Sequence, residues 1–209
     1  MNLKNKVAIV TGGASGIGRG ISIELARHGA DISVCDINME GAIETCNMLK
    51  EFGNKYIPVK VDVTDNIQVI EAVNKTIEQY GHIDILCNNA GISLIKDTLE
   101  TSEDEWDNVL TINLKSVFLF SKAAAKFMII QGKGGRIINT ASYLGKIGAP
   151  SLSHYGASKF GVIGFTQSLA VEMGEYGITV NAICPGDVDT PMMDREWAIH
   201  AKKMGISPE

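Results

Sequence analysis

The stretch Val7-Ala8-Ile9-Val10-Thr11-Gly12-Gly13-Ala14-Ser15-Gly16-Ile17-Gly18 decides the fold. Its first five residues are β-branched or small and apolar with no polar alternation, the pattern of a strand buried on both faces. Glycines at 12, 13, 16 and 18 then allow a tight turn and a close approach of backbone to a ligand. From Ile17 onward apolar positions recur at helical spacing, as in Ile21 and Leu25. A strand, a glycine turn and a helix in that order offer free N–H groups and a partial positive charge to a pyrophosphate. The alternative is a tight turn with no ligand, and the glycine spacing GxxxGxG departs from the GxGxxG form of many dinucleotide sites.

Working outward, strand-like runs at 7–11, 31–36, 56–61, 83–88, 136–140 and 178–184 alternate with helical patterns at 17–28, 39–52, 66–80, 103–131 and 155–176. That alternation predicts an α/β fold: a doubly wound parallel sheet in a single domain over residues 1–209. No repeat, low-complexity tract or linker divides the chain. A last helical pattern covers 191–204, and Ser207-Pro208-Glu209 reads as the start of another helix. The natural polypeptide is therefore expected to be longer, with more chain to cover the apolar edge run 178–184.

Composition narrows the function. The chain has 209 residues, 24 acidic against 19 basic and a net charge of −5, with no basic run, so nucleic acid is not the expected partner. The most apolar window, 117–130, contains Lys122 and Lys126 and is too short to cross a bilayer, so no membrane partner is expected either. Cys35, Cys46, Cys87 and Cys184 form neither a CxxC pair nor a Cys/His cluster. They are expected as free thiols, in a cytoplasmic protein with no metal site. A small molecule is the expected ligand.

Asp36 stands 24 residues after Gly12, at the end of the second strand run. A carboxylate there can accept hydrogen bonds from the adenosine ribose hydroxyls and repel the 2′-phosphate of NADP, which predicts NAD; otherwise it is a helix cap. Arg19 lies close enough in sequence to bear on that choice. Tyr155-Gly156-Ala157-Ser158-Lys159 puts a phenol and an ammonium on one helix face. Bringing a tyrosine from its usual pKa of ~10 to neutrality takes about 4 kcal/mol, and a nearby cation acts in that direction. By themselves these residues describe a dinucleotide-binding α/β protein with a candidate tyrosine base.

Together with Asn88-Asn89-Ala90-Gly91, Asn113, Ser142 and Pro185-Gly186, in this order and with 13 residues from Ser142 to Tyr155, they resemble the short-chain dehydrogenase/reductase family over residues 5–193. The resemblance implies strand order 3-2-1-4-5-6, without the seventh strand usual in the family. It implies Tyr155 as general acid/base, Lys159 lowering the tyrosine's pKa and holding the nicotinamide ribose, Ser142 holding the substrate oxygen, and Asn113 anchoring a proton-relaying water. Gly12, Ser15, Gly16, Ile17 and Gly18 would surround the pyrophosphate, and Asp62 and Val63 the adenine. Asn89, Ala90 and Gly91 would line the cleft, Pro185, Gly186, Val188 and Thr190 would face the nicotinamide, and Asn88 would brace the sheet.

The implied reaction is hydride transfer between NAD(H) and a secondary alcohol or ketone, without metal, most like the acetoin and polyol dehydrogenase branch. A 3-oxoacyl-thioester reductase using NADPH is the alternative within the family, and a nicotinamide-binding module without turnover the alternative outside it. The resemblance also implies a homo-oligomer, dimer or tetramer, through the helices at 103–131 and 155–176. For the substrate, a polar hydroxyketone would call on Tyr143, Ser151, His154 or Asp187, and an apolar ketone on Leu94, Leu144, Met192 and Trp197. Met192, Met193 and Trp197 are expected as a lid, and His154 is expected to face solvent or substrate.

Overall fold

The computed structural model describes residues 2–204, excepting the side chains of 200 and 202–204; the expected helix start at 207–209 lies outside the described residues. Strands β1 (Val7–Thr11), β2 (Asp31–Asp36), β3 (Tyr56–Lys60), β4 (Ile85–Asn88), β5 (Gly135–Thr140) and β6 (Ile178–Ile183) form one sheet in the order β3-β2-β1-β4-β5-β6. All five pairings are parallel. The connecting helices are α1 (Gly16–Arg27), α2 (Met39–Leu49), α3 (Asn66–Tyr80), α4 (Glu103–Leu110), α5 (Ser116–Gln131), α6 (Ser153–Met173) and α7 (Pro191–Met204). The expected architecture is met, strand order included.

Successive side chains of a strand point to opposite faces, so each central strand feeds two cores. On one face Ile9, Leu86 and Ile137 pack with Val73 of α3 and Phe120, Ala124 and Met128 of α5. On the other, Ala8, Val10, Ile32 and Val34 pack with Ala26 of α1 and Ala42 and Leu49 of α2. Every residue of β1 and β4 is buried, as their unbroken apolar runs require. Cys35, Cys46 and Cys87 are buried free thiols, with burial pushing Cys35 and Cys87 up to about 12; Cys184 is free and half-buried.

Three expectations about elements are corrected. Among the described residues β6 lies at the edge of the sheet and alternates: Ile178 and Val180 are buried while Thr179, Asn181 and Ile183 are exposed, so it is not a continuous apolar run. The helix expected over 103–131 is interrupted at Thr111–Lys115 by a single wider π-helical turn. The helix expected from Tyr155 begins at Ser153, which puts Tyr155 in its first turn.

Candidate active site

At the carboxyl ends of β1 and β4 the sheet order reverses, and such a switch point leaves a crevice between diverging connections. The two ends are tied together by Thr11, whose Oγ1 accepts hydrogen bonds from the backbone N–H of Asn89 (2.9 Å) and of Ala90 (3.1 Å). The Asn89 amide donates to the carbonyls of Thr11 (3.2 Å) and Gly12 (3.4 Å). The approach is too close for side chains. A Cβ on Gly12, whose φ is +65°, would lie 2.8 Å from Ala90 Cα, and one on Gly18 would lie 2.1 Å from the Gly12 oxygen.

Over this junction opens a cleft of about 680 Å³, within the usual size of a small-molecule site. It is lined by Gly12, Ser15, Gly16, Ile17, Asp36, Asp62, Val63, Asn89, Ala90 and Gly91 on one side of the junction. On the other side are Ser142, Tyr155, Lys159, Pro185, Gly186, Val188 and Thr190. Two expected residues stand behind the wall: Gly18, against Gly12, and Asn113, wholly buried. Of the residues considered for substrate, Tyr143, Leu144, Asp187, Met192, Met193 and Trp197 line the cleft, whereas Leu94, Ser151 and His154 do not.

The residues present fit a nicotinamide dinucleotide. The Ser15 side chain does not cap α1 and no acidic residue occupies its first turn, so the N–H groups there face the cleft without a competing anion. Asp36 is anchored: one oxygen accepts from Ala14 N (3.0 Å) and the other from Asn38 N (2.9 Å). Arg19, expected to bear on the 2′-phosphate, is committed elsewhere. Its guanidinium donates to Thr45 Oγ1 (3.0 Å), the Ala14 carbonyl and Glu44 (3.0 Å), and it does not line the cleft. Asp62 accepts from the N–H (2.9 Å) and hydroxyl (2.7 Å) of Thr64, fixing the loop after β3.

At the far end of the cleft α6 brings Tyr155 and Lys159 together. The Lys159 ammonium donates to the Thr140 carbonyl at 2.9 Å and lies 5.6 Å from the Tyr155 ring centroid. It is 4% exposed, and burial lowers its pKa to about 8. Burial holds the Tyr155 phenol above its ordinary value, a hydrogen bond with Ser142 pulls it down, and Glu196 and Tyr143 push it up. The ammonium is turned toward a backbone carbonyl, and the phenol's largest perturbation is loss of water.

Asn113 is placed by the π turn. Its Oδ1 accepts from Ile92 N (2.8 Å), and its amide donates to Ile92 O (2.9 Å) and to Ser158 Oγ (3.1 Å). A side chain bonded within its own helix could not make these contacts; a wider turn at a functional site is a recurrent device. A Cβ on Gly91 would touch both Asn113 Oδ1 (3.2 Å) and Lys159 Nζ (3.6 Å), so the backbone there leaves both polar groups accessible. Asn88 braces the sheet, donating to Ser121 Oγ (2.9 Å) and Asn139 Oδ1 (2.8 Å).

His154 is corrected: its side chain is fully buried, facing neither solvent nor the cleft. Ser151 bonds Asp97 on the outside. Residues that sequence reasoning missed also line the cleft, among them Ile37, Ile92, Ser93, Arg195 and Glu196. Glu196 could have been found from its position three and four residues after Met193 and Met192, on one helix face with them.

The short chain dehydrogenase family model matches residues 6–199. The chain belongs to the short-chain dehydrogenase family. It is 43% identical over 193 residues to the L-2,3-butanediol dehydrogenase of Corynebacterium glutamicum, covering 91% of this chain and 75% of that one. It is 42% identical over 189 residues to the 2-dehydro-3-deoxy-D-gluconate 5-dehydrogenase of Escherichia coli K12, covering 90% and 74%. Among solved structures, that of levodione reductase superposes with a TM-score of 0.94 at 37% identity, covering 100% of this chain and 80% of that one. As a short-chain dehydrogenase the chain is an oxidoreductase of hydroxyl and keto groups and binds a nicotinamide cofactor, NAD or NADP. Among its described residues no helix is long and apolar enough to cross a membrane.

A charged Lys159 is disfavoured by burial, so the folded protein holds a proton there less tightly than the unfolded chain. Its stability therefore rises with pH between about 8 and the ordinary lysine value of 10.5, and the full cost, of order 3 kcal/mol, is present below pH 8. Lys159→Met removes that titration. Thermal unfolding of the two proteins across pH 7 to 10.5 should show the wild type gaining stability relative to the variant; parallel curves would contradict the burial of the charge.

Proposed function

We propose that this protein transfers a hydride between NAD(H) and a secondary alcohol or its ketone, the substrate being a small hydroxyketone or polyol. What carries this reading is the meeting of Ser142, Tyr155 and Lys159 at one end of a cleft whose other end holds Asp36. A bound nicotinamide would supply the hydride acceptor for oxidation of the carbinol carbon and the hydride donor for the reverse reduction. Tyr155 takes the hydroxyl proton in oxidation and gives it back in reduction. Ser142, bonded to Leu144 N through its Oγ (3.1 Å), holds the substrate oxygen where charge develops. Lys159 would hold the nicotinamide ribose and relay the proton toward a water anchored at Asn113.

Two features beside Ala14 support NAD over NADP. The Asp36 carboxylate would be paired with a 2′-phosphate at close range, and Arg19, the nearest cation to the turn in sequence, is occupied by α2. On this reading the NADPH-dependent acyl-thioester reductase comes second, although the chain is 38% identical to the 3-oxoacyl-(acyl-carrier-protein) reductase of Thermotoga maritima. The protein works as a homo-oligomer, dimer or tetramer. Phe118 and Ile130 of α5 and Phe160 and Val171 of α6 are exposed apolar side chains on the helices proposed to pair between copies.

Two outcomes follow. Tyr155→Phe should lose at least a thousandfold in NAD-linked oxidation of secondary alcohols while still binding NADH; turnover within tenfold of wild type would remove Tyr155 from acid/base work. Sedimentation equilibrium should give a mass of two or four chains, and a monomer at micromolar concentration would refute assembly through α5 and α6.

A further inference from the structure

Among its described residues, α7 lines the cleft with Pro191, Met192, Met193 and Trp197 and with two charged residues, Arg195 and Glu196. α7 begins directly after the loop Pro185 to Thr190, with Thr190 capping it: its Oγ1 accepts from Met193 N (3.3 Å) and its carbonyl from Asp194 N (3.1 Å). That start fixes the helix phase, so Met192, Met193, Glu196 and Trp197 all line the cleft. Glu196 is half-buried there and enters no hydrogen bond or ion pair among the described residues. A half-buried carboxylate beside two methionines gives up part of its hydration, which a hydrogen-bond donor on a ligand can replace. The neighbouring Arg195 lines the cleft but is exposed and one helix step, about 100°, away.

We propose that Glu196 reads the substrate: its carboxylate accepts a hydrogen bond from a hydroxyl on the carbon next to the reacting carbinol. Neutral vicinal diols and hydroxyketones are thereby favoured, and 2-hydroxy acids are repelled. The placement fits, because Glu196 lines the same cleft as Tyr155 and Ser142, on the helix face that carries Met192 and Met193, and its charge is felt by the Tyr155 phenol. A substrate carboxylate in the same position would face the Glu196 carboxylate, and like charges repel. A hydroxyl satisfies the carboxylate without adding charge. The inference rests on the proposed oxidoreduction of secondary alcohols and names the substrate class for it.

The test compares wild type, Glu196→Ala and Glu196→Gln on 2,3-butanediol, 2-butanol, 2-hydroxybutanoate and 3-amino-2-butanol, with NADH binding as the control for folding. In wild type the diol should be the best of the four. In Glu196→Ala the ratio of kcat/KM for the diol to that for 2-butanol should fall about tenfold, through KM for the diol, the order expected for losing one hydrogen bond to a charged acceptor. Glu196→Gln should keep part of the diol preference, since its carbonyl still accepts, and should gain on the hydroxy acid. An unchanged ratio in both variants would overturn the proposal, and so would a wild type that prefers the amino alcohol, which would assign the carboxylate to an ammonium. A wild type that oxidises none of the four while binding NADH would overturn the proposed secondary-alcohol reaction itself, a result distinct from either.

Discussion

Everything in the site depends on how closely two loops approach at the middle of the sheet. Thr11 and Gly12 at the end of β1 lie against Asn89 and Ala90 at the end of β4, joined through the Thr11 hydroxyl and the Asn89 amide. With a side chain at 12 or 18 the turn could not close, and the N-terminus of α1 would not point into the crevice. The constraint is steric at the glycines and polar at Thr11. Together they set where a dinucleotide can lie, and hence which end of the cleft receives adenosine and which the reacting group.

The half of the molecule beneath Tyr155 is held by buried polar groups. Asn88 bridges Ser121 and Asn139, and the Asn139 amide continues to Thr166 of α6 (2.9 Å), so sheet and helices α5 and α6 are locked in register. Asn113 ties the segment after β4 to Ser158, and Lys159 ties α6 to the end of β5. Such groups are expensive to bury unless satisfied, and they fix position more sharply than apolar packing does. Lys159 is the extreme case: its charge costs stability below pH 8, a cost located at the wall of the cleft, 5.6 Å from the Tyr155 ring.

Most of the fold could be read from the sequence because parallel strands buried on both faces appear as unbroken β-branched runs, and β1 and α3 fall where the patterns end. The cleft was legible as far as its residues follow strand ends. Asp36, Asn89 and Ser142 need only the topology to meet. The π turn was not legible: a helix of period 3.6 and one with a single wider turn have nearly the same apolar pattern, and the deviation is set by Asn113 reaching Ile92 across 21 residues. The burial of His154 was hidden too, since periodicity near a helix start does not say what packs over it. The hydrogen bond from Lys159 to the Thr140 carbonyl was not legible either, since spacing shows only that Lys159 and Tyr155 share a helix face. Glu196 escaped notice because one carboxylate among apolar residues becomes visible only when the helix is set against a cleft.

The central claim, a dinucleotide cleft at the β1/β4 junction whose Asp36 reads the ribose, is tested most directly by titrating the protein with NADH and, in parallel, with NADPH, following nicotinamide fluorescence. The account predicts binding of NADH and at least tenfold weaker binding of NADPH, as expected for a carboxylate set against a phosphate. Equal affinity, or a preference for NADPH, would contradict it.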